Sequence, residues 1–279
     1  MKKQLPLGLI AEGNLTSSSI LRLPSVIQEL GPVKSKALRL ARRASNYLQA
    51  GWAVDGYEDL QETRLILVHV PDESARRVID ELCASELDMS SLMFAFGETW
   101  MPADVLEPLR SRGAATATII HATSSRRNWF VAEGTTPAVR MTRKLIERSE
   151  ARVLQIQTGR KPLYFAAELL ASALPAKLFA HAEQALRDAG ITGNHLRSML
   201  EDMAHEMFRT YANAARLTWA GPLGECSEDV AHMHFQSLRD YDPELADYIE
   251  LHIAAEQRML EPEAKQPKGD ARLPNSSER

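Results

Sequence analysis

The chain has little cysteine. Cys83 and Cys226 stand alone among 279 residues and form no C-x-x-C pair. That excludes a disulfide framework and paired thiolates, and it fits a reducing compartment. Long apolar runs are also missing: Lys, Glu or Pro interrupts each run well short of the ~18 apolar residues of a membrane span. The basic start, Met1-Lys2-Lys3, leads only into a short apolar stretch broken by Glu12 and Asn14, so no secretory leader is expected. A soluble, cytoplasmic protein without a membrane partner is the expectation. No G-x-S-x-G, Walker loop or H-E-x-x-H occurs, and neither cysteine has a neighbour that would mark a nucleophile. His232 and His234, two apart, would diverge on a helix by about 200°. Asp202 and His205 have the i, i+3 spacing of a carboxylate-bridged metal bundle but no second copy, so no metal is expected.

What is present is an ordinary globular composition, 44% hydrophobic and 25% charged, in a chain long enough for two domains. The net charge of −4 is unevenly spread. Residues 1–158 carry 20 Lys and Arg against 18 Asp and Glu; residues 159–279 carry 13 against 19. Neither half has the basic excess of a nucleic-acid surface, so no nucleic acid is expected as a partner. Locally, however, Lys34, Lys36, Arg39, Arg42 and Arg43 cluster, and no acidic residue lies between Leu30 and Val54.

The first half alternates short apolar runs with helical spacing. Strands are expected at Pro6–Ala11, Val33–Ser35, Arg64–Val70, Leu92–Phe96, Ala114–His121, Trp129–Glu133 and Arg152–Ile156. Helices are expected at Ser17–Leu30 (bent by Pro24), Ala37–Ala50, Ser74–Ala84 with Asp72 as cap, and Pro102–Arg112. Fully apolar strands between helices imply a mostly parallel, doubly wound α/β sheet. Beyond Gly159 only helices are expected: 162–190 with a kink at Pro175, Asn194 to about Leu217, Ser227 to about Leu238, and Pro243–Leu260. The expected domains are therefore a Rossmann-like sheet domain at 1–158, an all-α domain at 159–260 and a disordered tail at 261–279.

In such a sheet a dinucleotide's pyrophosphate sits at the first βα turn. Here that turn is Ala11-Glu12-Gly13-Asn14-Leu15-Thr16, which keeps only the middle glycine of G-x-G-x-x-G. Glu12 must point away if phosphate is to bind. The second strand ends at Lys34-Ser35-Lys36 without a carboxylate, and Arg39 follows one turn on, which favours NADP over NAD. An ordinary tight turn and a solvated basic helix face are the alternatives.

Across roughly residues 6–260, the order GLIAEGNL (8–15), LILVHVPDE (65–73), LEPLRSRGA (106–114), IIHATS (119–124), KPLYFAAELLAS (161–172) and WAGPLGE (219–225) resembles a two-domain family. Its members pair a Rossmann-like N-terminal domain with a helical domain of unknown function 2520, and are described as candidate NADP-dependent oxidoreductases. They are similar in plan to pyrroline-5-carboxylate reductase and 6-phosphogluconate dehydrogenase. The resemblance implies NADP as cofactor, held by Ala11, Gly13, Asn14, Leu15, Ser35, Lys36, Arg39, Val70 and Pro71. It also implies a small-molecule substrate in a cleft between the domains, and a homodimer through the helical domain.

This chain departs from the family pattern at several places. Gly-Ala-Gly-Asn is Ala11-Glu12-Gly13-Asn14, His-x-Ser-Gly is Phe94-Ala95-Phe96-Gly97, and His-Pro is His121-Ala122. The long helix has Phe165 for His and Ala173 for Asn, and no Arg-Gly-Asp follows Gly221-Pro222. The substrate differs, or the chemistry is lost and the chain is a catalytically silent nucleotide- or metabolite-binding protein. A structural or partner-binding protein without a nucleotide is a third reading.

Lys161, Tyr164, Glu168 and Ser172 fall at i, i+3, i+7 and i+11, on one helical face. Lys161 or Tyr164 is the candidate proton donor, with Glu168 as its partner; a solvent-facing stripe is the alternative. His121, at the strand end where ligands bind, could polarise a carbonyl, or its ring could be satisfied by backbone. His69 is expected to be a hydrogen-bonded core or near-core residue.

Overall fold

The computed structural model describes residues 7–122, 128–213 and 222–260, in a chain that forms two compact units, Met1–Ala180 and His181–Arg279. The expected tail at 261–279, together with Gly221, Pro6 and Ser124, lies outside the described residues.

The first unit is built on one sheet of eight strands: β1 (Leu7–Ala11), β2 (Leu30–Lys34), β3 (Trp52–Ala53), β4 (Leu65–His69), β5 (Met93–Gly97), β6 (Ala115–His121), β7 (Trp129–Gly134) and β8 (Arg152–Gln155). Their order is β3-β2-β1-β4-β5-β6-β7-β8, and every neighbouring pair is parallel except β6 with β7. Helices α1 (Pro24–Glu29), α2 (Leu38–Leu48), α3 (Asp72–Ala84), α4 (Glu107–Ser111) and α5 (Thr136–Ile146) accompany the strands.

Because successive strand residues point to opposite faces, adjacent residues feed two separate cores. Leu9 and Leu67 join Ile20, Val26, Ile119, Phe130 and Val139 in one core. Ile10, Ile66 and Val68 join Val78, Ile79, Leu82 and Leu106 in the other. Phe94 and Phe96 are fully buried in that second core, so these phenylalanines fill the interior and line neither of the cavities described below.

Three expectations about local structure need correction. In place of a bent helix over Ser17–Leu30 there is a 3₁₀ turn at Ile20–Arg22 and then α1, with Pro24 in its first turn where a missing N–H costs nothing. β2 begins at Leu30, because Gly31 and Pro32 sit within the strand; the sheet edge beyond it holds only the two-residue β3. Asp72 is also the first residue of α3, not its cap, and the cap position is Pro71.

The last helix of the first unit, α6 (Lys161–Glu168), continues through a π-helical segment, Leu169–Ala173, into α7 (Leu174–Asp188). The expected disruption at Pro175 thus takes the form of a π segment just ahead of it. Proline lacks the N–H and crowds the carbonyl four residues back, and the wider turn accommodates both defects. By length and composition the run Lys161–Asp188 is apolar enough to cross a bilayer, a property that uninterrupted-run counting misses.

The second unit holds α8 (Asn194–Asn213), α9 (Pro222–Glu225), α10 (Glu228–Tyr241) and α11 (Pro243–Leu260). Arg239 of α10 pairs with Glu250 of α11 at 2.6 Å. Among its described residues only Leu196 and Ala246 are buried hydrophobics, whereas Met203, Met207, Phe208, Tyr211 and Leu251 are exposed.

Candidate functional site

The sheet places two cavities side by side at the carboxyl ends of its central strands. β1 lies between β2 and β4, which come before and after the crossover, and ligands bind in open α/β sheets at that reversal of strand order.

The first cavity, about 420 Å³, is lined by the β1 turn (Ala11 to Thr16), by Ser35 and Lys36 after β2, and by Leu40, Arg43, Ala44 and Tyr47 of α2. The α2 residues recur at i, i+3, i+4 and i+7, the spacing of one helical face. Gly13 has φ +78°, and a Cβ there would stand 2.8 Å from Pro71 Cγ, so the position takes glycine alone. The amides of Gly13, Asn14 and Leu15 donate to no group among the described residues, whereas Glu12 N–H donates to His69 O and Thr16 N–H to Asn14 Oδ1. Successive unspent N–H groups of this kind suit an anion.

The Glu12 carboxylate is drawn aside by an ion pair with Arg77 of α3, which also pairs with Glu81. Of the expected nucleotide residues, Ala11, Gly13, Asn14, Leu15, Ser35 and Lys36 border this cavity. The Ser35 hydroxyl is committed to Ala11 O at 2.6 Å. Arg39 is exposed and does not line the cavity; Arg43, one helical turn further, does. Lys34 is buried, donating to Ser35 O, with its ammonium 4.9 Å above the Tyr57 ring.

The second cavity, about 550 Å³, shares Glu12 and Asn14 with the first and continues past the ends of β4, β5 and β6. Val70, Pro71, Asp72, Glu73, Glu98, Trp100 and His121 line it, with Ser17, Ser19 and His69. Glu98 follows β5 with φ +59°, a strained conformation for a non-glycine residue. In that conformation one carboxylate oxygen accepts from Ser19 N–H and the other lies 3.3 Å from His69 Nδ1. Burial pushes the Glu98 carboxyl up, but bonds from His69, Ser18 and Ser19 outweigh it and hold the group below the ordinary carboxylate range. His121 Nδ1 lies 3.3 Å from Ser19 Oγ and Nε2 lies 3.1 Å from Asn128 Oδ1. Ser19 therefore links His121 to Glu98, which His69 meets directly. His69, expected as a core or near-core residue, is part of this polar chain at the cavity wall.

Lys161 lines neither cavity. It is 2% exposed, and its Nζ donates to Thr99 O (2.8 Å), Met101 O (2.7 Å) and Thr118 Oγ1 (2.9 Å). Burial depresses it to about 8, against the pull of Glu133 and Asp72. Glu133 is also fully buried, accepting from Ala103 N–H at 2.8 Å and from Gly159 N–H at 2.6 Å.

Together these two charges fix the segment after β5 and the turn into α6. The carbonyls that Lys161 grips flank Trp100, whose ring stacks on Tyr164 at 5.9 Å and meets Phe165 edge-on at 5.2 Å. The expected stripe is thus divided: Lys161 turns inward, while Tyr164 donates to Glu168 and Ser172 donates to Glu168 O. Burial, with the bond to Glu168, raises the Tyr164 hydroxyl well above its ordinary range, which makes it a poor acid.

Sequence reasoning missed Ser19, Glu98, Trp100, Asn128 and Glu133, and placed Arg43 in the basic cluster without singling it out. Gly97-Glu98 immediately after an apolar strand was the available signal for Glu98; the others meet only through tertiary structure. No group of three or more metal-ligating side chains occurs among the described residues.

Residues 128–252 match the model of a domain of unknown function, DUF2520. No curated protein matches the chain. Among solved structures, a candidate NADP oxidoreductase from Bacteroides fragilis superposes with TM-score 0.69 at 16% identity, over 90% of this chain and 97% of the other. An imine reductase from Myxococcus stipitatus, in complex with NAD+, gives 0.62 at 16% identity over 92% and 95%. A pyrroline-5-carboxylate reductase from Coxiella burnetii gives 0.55 at 11% identity over 88% and 96%. The likeness establishes the fold: a Rossmann-like, mostly parallel sheet followed by a helical region.

Proposed function

We propose that this chain is an NADP-dependent oxidoreductase acting on a small molecule. The observation that carries the reading is the first cavity: a positive-φ glycine and three unspent amides at the end of β1, facing Lys36 and Arg43 with no carboxylate at the end of β2. Amides suit the pyrophosphate, and the two cations suit a 2′-phosphate, which NAD lacks. Arg43 takes the part that spacing assigned to Arg39. Leu40 and Tyr47 supply apolar surface to the same wall.

Bound NADPH supplies a hydride, and the protein's part is to position it and furnish a proton. Val70 and Pro71 floor the second cavity beside the turn. His121 is the proton carrier on its wall, with Ser19 and Asn128 fixing the ring. The solved structures of similar fold include proteins described as NADP oxidoreductases and as imine and pyrroline-5-carboxylate reductases, which supports this reading. A catalytically silent nucleotide-binding protein is the second reading, favoured by Ala11 and Ala173 in place of the family's polar or glycine residues.

Titration with NADPH and NADH, followed by nucleotide fluorescence and melting temperature, tests the proposal. Micromolar NADPH binding is expected, clearly tighter than NADH. Lys36→Ala and Arg43→Ala should each weaken NADPH about tenfold and NADH little. Equal losses for both nucleotides would remove the 2′-phosphate assignment, and no binding at millimolar nucleotide would remove the cofactor. Binding without turnover across a panel of carbonyl and imine substrates would favour the silent protein.

We further propose a homodimer through the helical region. Leu170 is 62% and Phe208 67% exposed in the single chain, with Leu163, Leu174 and Tyr211 similarly uncovered. Large apolar side chains left uncovered in this way mark an interface. Light scattering should give twice 31.1 kDa. A monomer at micromolar concentration would count against it.

A further inference from the structure

We propose that the second cavity binds an organic cation that carries no carboxylate, and that Trp100 is the aromatic wall against which it lies. The proposal names the substrate class for the oxidoreductase reading and rests on it.

The Trp100 ring is 41% exposed although it borders the cavity. It is held firmly all the same. Tyr164 and Phe165 back it, and the Lys161 ammonium ties the carbonyls of Thr99 and Met101 on either side. An indole face held in place and open to a cavity attracts cations through its quadrupole.

The charges around the ring agree. Asp72, Glu73 and Glu98 line the cavity with Glu12, and among the described residues no Lys or Arg does. Two of these carboxylates are partly spent: Glu12 on Arg77, and Glu98 on Ser19 N–H and His69. Asp72 accepts only a neutral hydroxyl, that of Thr99, and both Asp72 and Glu73 are exposed. Of the cations around it, Arg77 is spent on Glu12 and Glu81, and Lys161 is enclosed behind the wall with its donors occupied. A negative field with an aromatic face therefore stands next to a first cavity that presents Lys36 and Arg43. Among the described residues an anionic substrate would meet carboxylates and no Lys or Arg, so an imino acid is disfavoured. A protonated amine or imine is favoured.

The test uses three ligands of similar shape: benzylammonium, benzyl alcohol and benzoate. They are titrated into the full-length protein at pH 7 without nucleotide, by calorimetry. Benzylammonium should bind at least tenfold more tightly than benzyl alcohol, with benzoate weakest. Trp100→Leu should lower benzylammonium affinity at least fivefold, and Glu73→Gln two- to threefold, with benzyl alcohol little changed by Glu73→Gln. Glu73 is exposed and its side chain has no hydrogen bond or ion pair among the described residues, so that variant remains informative if Trp100→Leu is unstable. Benzoate or benzyl alcohol binding as tightly as the cation would overturn the proposal. So would cation binding indifferent to both variants, or no binding of any ligand at millimolar concentration. NADPH affinity of the same preparations is measured separately; its absence beside intact cation selectivity would defeat the cofactor reading alone.

Discussion

Unfolding the wild-type chain and its Lys161→Met variant in urea at pH values from 7 to 10 measures what the enclosed amine does. Burial places Lys161 at about 8 against an ordinary 10.5. Between those values the unfolded chain holds a proton that the native chain has released, so the free energy of unfolding rises with pH. For one such group the rise is about 1.4 kcal/mol by pH 9 and about 2.5 kcal/mol by pH 10. The methionine variant lacks the group, while the other titrating side chains are common to both proteins. The stability difference, wild type minus variant, should therefore widen by about 2.5 kcal/mol across the range. It should already favour wild type at pH 7, because methionine leaves Thr99 O and Met101 O without a donor, at roughly 1–3 kcal/mol each. The socket suits both protonation states: a neutral amine still donates to the two carbonyls and can accept from the Thr118 hydroxyl. A difference that stays flat or narrows with rising pH would refute the placement of this amine.

Further outcomes follow from the same geometry. Glu133→Ala strips the acceptor from the enclosed amide of Ala103 and from that of the exposed Gly159, and should cost about 1–3 kcal/mol in urea unfolding; Glu133→Gln, which keeps one acceptor, should cost less. Gly13→Ala forces a Cβ toward Pro71 at positive φ and should lower stability by about 1–3 kcal/mol, while weakening NADPH in fluorescence titration. Glu98 is held below the ordinary carboxylate range, so it contributes stability above that range that is lost as pH falls through its depressed value. Wild type should accordingly lose more stability than Glu98→Gln between pH 5 and 3, read by thermal melting.

The parts of the fold legible in the sequence are those whose cause is local. Leu65–His69 is apolar at every position and bounded by Pro71, so a buried strand is its only comfortable state. β2 was placed three residues late because Gly31-Pro32 is poor strand sequence, and its place is set by pairing with β1 and the short β3. The antiparallel direction of β7 leaves no mark in Trp129–Gly134, since a strand buried on both faces looks alike in either direction. The site divides in the same way. The β1 turn and Lys36 were readable because their contacts are near in sequence or dictated by the sheet. Lys161 was misread as facing a substrate because the carbonyls that capture it lie about sixty residues away, on the segment after β5. Arg43 and not Arg39 lines the first cavity, a distinction of one turn that composition cannot make.

Glu12 borders both cavities, with Arg77 as its third claimant. A ligand in either cavity that moves this carboxylate changes the potential felt by a ligand in the other. Linkage makes the consequence exact in form: whatever factor one ligand applies to the affinity of the second, the second applies to the first. If the first ligand is an anion and the second a cation, their mutual attraction across Glu12 makes that factor greater than one. The ternary complex would then be more populated than independent binding allows, and the order in which the two arrive would be decided by rates and not by equilibrium.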